Sequence, residues 1–122
     1  VSSQSTSLTK IDRLMAALSV AERLTAESPV APDSVAVTEH TAFGYIPGAF
    51  VWAIGVVLNM HRDPDGVRAF AEAFGVEVKA ELWNDGSDVH TFADGVVGGV
   101  PFRAYALMEV TAEADGGSAV AA

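Results

Sequence analysis

Apolar residues recur three and four apart near the start of the chain. Leu8, Ile11, Leu14, Met15, Leu18 and Ala21 share one side of a helical wheel, with Lys10, Asp12, Arg13, Glu22 and Arg23 mostly opposite, the spacing that lays an apolar stripe on a core. Ser7 supplies a capping hydroxyl and Pro29 blocks continuation, so the pattern predicts a helix over residues 8–26. Ser28-Pro29-Val30-Ala31-Pro32-Asp33 reads as a linker stiffened by two prolines, and Val35-Ala36-Val37-Thr38 alternates as a short strand does. Pro47-Gly48 turns the chain into the Phe50–Leu58 run, which has no polar side. Such a run is a strand buried on both faces or a buried helix, and its period does not separate the two. Its wealth of Val, Ile, Phe and Trp, with Gly55 inside, favours strand.

Asp63-Pro64-Asp65-Gly66 is the clearest helix start: Asp63 caps, Pro64 takes the first position, and Asp65 sits where the helix dipole favours an anion. Val67, Phe70, Ala71 and Phe74 form its apolar stripe and Gly75 closes it. Val76 to Trp83 alternates strictly, Asn84-Asp85-Gly86 signals a hairpin, and Val89–Ala93 and Val100–Val110 follow as strands around Gly98-Gly99. The order helix-strand-strand-helix-strand-strand-strand predicts an α+β domain. Its expected form is an antiparallel sheet of about five strands with both helices on one face. Residues 7–110 are expected to form that single domain, with a flexible N-terminus over residues 1–6 and a flexible tail over residues 111–122. The edges of so small a sheet need covering, and pairing across a homodimer is one common answer.

Composition narrows the function classes. The 122 residues carry sixteen Asp and Glu against seven Lys and Arg, a formal charge of −9, which repels phosphate backbones and anionic membranes and so argues against nucleic-acid and membrane partners. Without cysteine there is no disulfide, thiolate nucleophile or zinc–sulfur site. The stretch Val1 to Thr6 lacks the basic-then-apolar shape of a signal peptide, and the ten-residue apolar run Ala49–Leu58 is too short to span a bilayer as a helix, so a cytoplasmic location is expected.

Four constellations bear on chemistry. His61, Asp63, Asp65, Gly66 and Glu72 fall at calcium-loop spacing, but an imidazole stands where a hard carboxylate belongs, and a helix start accounts for the same residues. His40, His61 and His90 are candidate metal ligands without a close pair spacing, and each reads more simply as a surface or satisfied side chain. Asp85, Asp88 and Asp94 cluster as paired acids would, yet turns select Asp for backbone reasons, and all three read as turn residues. Trp83 ends an alternating strand beside acids; if exposed, Trp83 with Asp85 and Asp88 makes an interface anchor. No catalytic set and no cofactor-binding motif emerges.

From Phe50 to Val110 the order strand, helix, strand, strand, strand resembles one module of the vicinal oxygen chelate (glyoxalase-like) proteins, the Asp-Pro-Asp-Gly-Val-Arg-Ala-Phe-Ala-Glu-Ala-Phe-Gly-Val-Glu-Val segment looking like that module's helix and next strand. The resemblance implies a small-molecule or metal site, with His61 and Glu109 as the nearest counterparts of its metal ligands. The N-terminal helix, the Asp-Pro helix start, Phe-Gly-Val-Glu-Val and Val-Gly-Gly-Val-Pro-Phe also resemble small uncharacterised α+β proteins of actinobacteria and their phages, which implies an accessory protein. The leading expectation is a non-enzymatic, homodimeric protein-interaction module that meets a protein partner through its sheet edge or acidic surface. The alternatives are the glyoxalase-like module and an acidic nucleic-acid mimic that blocks a DNA-binding protein.

Overall fold

The computed structural model describes residues 9–110; the expectations for residues 1–8, Ser7 included, and for the tail over residues 111–122 lie outside the described residues. Helix α1 (Lys10–Glu27) opens on a capping box. The Thr9 hydroxyl accepts the Asp12 N–H at 3.0 Å, and the Asp12 carboxylate accepts the Thr9 N–H at 3.3 Å, which satisfies two of the amides that a helix start leaves free. The helix thus begins on Thr9, later than the apolar spacing predicts. Its rotation also differs from expectation. Ala17 and Leu24 are buried against the sheet with Val20 and Ala21 at the margin, while Ile11, Met15 and Leu18 face solvent. Both sides of α1 are apolar, and the side with alanines allows the closer approach; periodicity does not say which of two apolar sides is chosen.

Strands β1 (Ser34–Ile46) and β2 (Ala49–Asn59) pair as an antiparallel hairpin about Pro47-Gly48, so the Phe50–Leu58 run is strand. Helix α2 (Pro64–Phe74) starts where the Asp63 carboxylate accepts the Gly66 N–H at 2.9 Å and ends at Gly75, whose φ of 68° is the left-handed conformation that favours glycine. Strands β3 (Val78–Trp83), β4 (Asp88–Val97) and β5 (Val100–Glu109) then form an antiparallel meander.

The strands lie in the order β1-β2-β5-β4-β3. The sheet is mixed rather than purely antiparallel: β2 and β5 run parallel, with Val56 opposite Phe102 and Asn59 opposite Tyr105. The cause is the crossover. A helix that packs on one face returns the chain to its starting end, so the strand after α2 must run the same way as β2. The meander reverses direction twice, and β5 arrives beside β2 still parallel to it. One face of the sheet presents Val56, Leu58, Phe102, Ala104 and Ala106 to Leu24, Val67 and Phe70, and this is the core. Phe70 stacks tilted on Phe74 at 4.5 Å between ring centroids and meets Phe102 edge-on at 5.8 Å.

Among the described residues the other face carries no helix; the outer half of the β1–β2 hairpin curls over part of it instead. β1 is irregular between Thr38 and Thr41 and again between Phe43 and Ile46, and such bulges bend and twist a strand. The bend buries Phe43 completely over Gly55. A Cβ at Gly55 would stand 2.6 Å from the Phe43 ring and 2.6 Å from the Pro101 carbonyl oxygen, which is backbone and has no room to retreat. Gly55→Ala is therefore expected to lower the unfolding free energy by about 2–3 kcal/mol, the cost of forced overpacking, read from the shift of the urea midpoint; an unchanged midpoint would refute this packing.

Candidate functional site

The helix-free face is built from alternate residues of the central strands. Cross-strand pairing sets Asp94 of β4 opposite Arg103 of β5, and their side chains form a two-pronged ion pair, Nε to Oδ1 at 2.7 Å and Nη2 to Oδ2 at 2.8 Å. The pair is buried, with the Asp94 side chain 2% and that of Arg103 15% exposed. Burial of two charges is tolerable only when the remaining lone pairs and protons are satisfied, and the hairpin supplies those partners. Gly44 N–H donates to Asp94 Oδ2 at 2.6 Å, and Arg103 Nη2 donates to the Ala42 carbonyl at 3.1 Å. The guanidinium also lies over the Phe92 ring at 5.0 Å.

Beside this pair His90, 2% exposed, is held in an aromatic stack, 3.9 Å from Trp83 and 4.8 Å from Phe92 between centroids. Glu81 Oε2 comes within 3.4 Å of His90 Nδ1 but already accepts the Trp83 indole N–H at 2.8 Å. Nδ1 is left buried with no hydrogen-bond partner among the described residues. Burial first, then the Arg103 charge, hold His90 below its ordinary value of 6.5, against the opposing pull of Glu81 and Asp94. The imidazole is uncharged at neutral pH, able to accept or donate but not to act as a fixed cation.

Two hollows open on this face. One of about 200 Å³ is bounded by Thr41, Val57, Trp83, His90, Arg103 and Tyr105. The other, of about 290 Å³, is bounded by Asn59, His61, Arg62, Tyr105 and Leu107, and the two share Tyr105. A larger hollow of about 470 Å³ lies between the hairpin tip and the α2–β3 loop. It has greater volume, as has one of about 400 Å³ beneath the hairpin tip bounded by Phe50, Lys79, Glu81 and Phe92, but Trp83 and the orphaned imidazole belong to the smallest.

The residues singled out in the sequence fall into different settings. Asp94 is not a turn residue: it sits inside β4, buried and paired with Arg103, because β4 runs on past Ala93 to Val97. His90 is neither a surface nor a satisfied histidine. His40 does lie on the surface, at the β1 bulge. Trp83 is partly exposed and covers His90, Asp85 occupies the left-handed β3–β4 turn at φ 60°, and Asp88 accepts from the Asn84 side chain and pairs across strands with Glu109. His61 follows β2 at a left-handed φ of 61°, its N–H bonded to Asn59 Oδ1 at 2.7 Å and its carbonyl accepting from Leu107 N–H at 3.0 Å. Glu109 lies two residues beyond Leu107 along β5. Among the described residues no group of three His, Cys, Asp or Glu is arranged to hold a metal ion. Within the calcium-like spacing, Asp63 caps α2 and Asp65 pairs with Arg68 at 2.8 Å. Arg103 and Tyr105 were not singled out; their signal was the alternation of β5, which puts both on the face opposite Phe102 and Ala104.

Two outcomes follow from this geometry. Asp94→Ala leaves Arg103 buried without its partner and is expected to destabilise the fold by about 3–5 kcal/mol, measured by chemical denaturation; a loss below about 1 kcal/mol would mean the pair is not the support described. For His90, both folded and unfolded chains are neutral above 6.5, so its contribution is whole there. As pH falls below 6.5 the unfolded chain binds a proton first, and stability declines until the folded imidazole titrates at its lower value. His90→Phe is expected to flatten that part of the stability-versus-pH curve; an identical slope in the two proteins would contradict it.

Compared with protein-family models, curated proteins and solved structures, the chain matches none of them.

Proposed function

We propose that this protein is a non-enzymatic interaction module that pairs with a second copy of itself through the outer half of the β1–β2 hairpin. The observation that carries the reading is the exposure of two large aromatics on that hairpin, Phe50 at 70% and Trp52 at 71%, with Ile46 beside the turn also exposed. Alternation along β2 sets Phe50 and Trp52 on one side of the ribbon. Isolated apolar residues on a surface are ordinary, but aromatics grouped on an ordered element are the composition of an interface centre.

Charge supports the same surface. From Thr41 to Met60 the chain holds no Asp, Glu, Lys, Arg or His, in a protein of net charge −9. Two acidic molecules repel wherever their carboxylates face each other, so a charge-free ribbon is where close approach costs least. The sheet edges are less suited to pairing. β1 is broken by its two irregularities, and β3 is six residues long and carries Lys79 and Glu81, the devices by which edges resist strand addition.

The test is the solution mass of the wild type and of Phe50→Ser/Trp52→Ser, by light scattering across a range of concentrations. A wild-type dimer that becomes a monomer in the variant, with unfolding by heat still cooperative, is the expected result. A wild type that stays monomeric throughout, or a variant that dimerises equally well, would sink the proposal.

A further inference from the structure

Tyr105 lines both of the smaller hollows over the parallel β2–β5 pair, and the lining of this paired groove differs from the rest of this protein. Among the described residues no Asp or Glu bounds either hollow, although the chain has sixteen acidic residues. Two of the three histidines and two of the seven basic residues do: His61, His90, Arg62 and Arg103. We infer that this groove is a binding site for a small aromatic carboxylate, its carboxylate at the Arg62–His61 end and its ring at the Trp83–His90 end.

The division of the lining argues for both halves of that ligand. At one end Arg103 is neutralised by Asp94, so the charge there is balanced and the surface is set by Val57, Trp83, Tyr105 and the imidazole of His90. Such a setting suits a planar, largely apolar body lying against the edge of the Trp83–His90 stack. At the other end the side chain of Arg62 is exposed and has no carboxylate partner among the described residues. One uncompensated guanidinium suits a monoanion, and its fork geometry suits a carboxylate. No carboxylate among the lining residues favours a cation, and an inorganic anion would leave the aromatic end unfilled.

Two further observations mark the groove as more than a gap between side chains. His90 Nδ1 is a buried polar atom without a hydrogen-bond partner among the described residues, Glu81 Oε2 standing 3.4 Å away, a state that costs free energy unless something uses or compensates it. His61 holds a left-handed φ of 61° in the turn after β2, its N–H fixed by Asn59, which sets the backbone at the Arg62 end of the groove. The two residues belong to opposite ends of the groove and to different elements.

The experiment is a titration of the full chain with benzoate, followed by amide NMR in about 0.15 M salt, where the net charge is screened beyond about 8 Å. Benzamide serves as the uncharged control and inorganic phosphate as the ring-free anion. Saturable shifts confined to the residues around Tyr105, at least about tenfold weaker for benzamide and for the Arg62→Ala variant, are expected from loss of one charge-assisted contact. Arg62 is exposed, so an unchanged melting curve will confirm that the variant folds. Any one of three outcomes would overturn the inference: no saturable benzoate shift, equal binding of benzoate and benzamide, or phosphate producing the same shifts at equal concentration.

Discussion

The ion pair between Asp94 and Arg103 is the contact on which the helix-free side of this molecule depends. Its geometry alone does not make it stabilising, since two buried charges lose several kcal/mol of hydration each. What makes it tenable is the β1 backbone. The Gly44 N–H and the Ala42 carbonyl complete the hydrogen bonding of the carboxylate and the guanidinium, and the pair in turn satisfies backbone groups of an edge strand. The same contact ties the bent hairpin to the sheet, where Phe43 is buried and Thr41 forms one wall of the hollow at His90. Hairpin and ion pair are joined by these bonds, and Thr41 and Arg103 carry that junction into the wall of the hollow at His90.

The two faces of the sheet are held by different physics. Toward the helices the strands present Val56, Leu58, Phe102 and three alanines to Leu24, Val67 and Phe70, a dry core whose stability comes from removing apolar surface from water. Toward the hairpin they present an ion pair, an imidazole, a phenol and stacked aromatics. Polar groups so placed depend on direction and on having partners, and they are where a small change in pH or a ligand has an effect. The helix side fixes the fold, and the hairpin side holds the candidate chemistry.

Charge is divided in the same way. Among the described residues the acids other than the buried Asp94 lie on both helices, in loops, on β1 and β3 and at the ends of β4 and β5, while the stretch from Thr41 to Met60 is free of charge and the described groove lining holds no acid. A strongly acidic surface keeps such a domain soluble and repels its own copies. The regions without carboxylates are where the approach of an apolar surface or a small anion meets the least repulsion.

Much of the local structure was legible in the sequence because its causes are local. Asp63-Pro64 and Gly75 mark the ends of α2, Asn84-Asp85-Gly86 and Gly98-Gly99 mark the turns of the meander, and the composition around Gly55 identifies β2, since capping, fixed φ and positive φ act within a few residues. Other features required the tertiary structure. Nothing local shows which apolar side of α1 meets the sheet, and the crossover, not any residue, makes β2 and β5 parallel. Asp94 reads as one more turn aspartate until β4 is seen to run past it and β5 sets Arg103 opposite. The site is assembled from β1, β2, β3, β4 and β5, whose residues stand far apart in sequence. The sequence by itself determined the elements and their apolar patterns, because these follow from short-range sterics and periodicity. Only the tertiary structure decided which polar residues meet and lose their water, because that depends on strand register and on the bend of a hairpin across fifty residues of intervening chain.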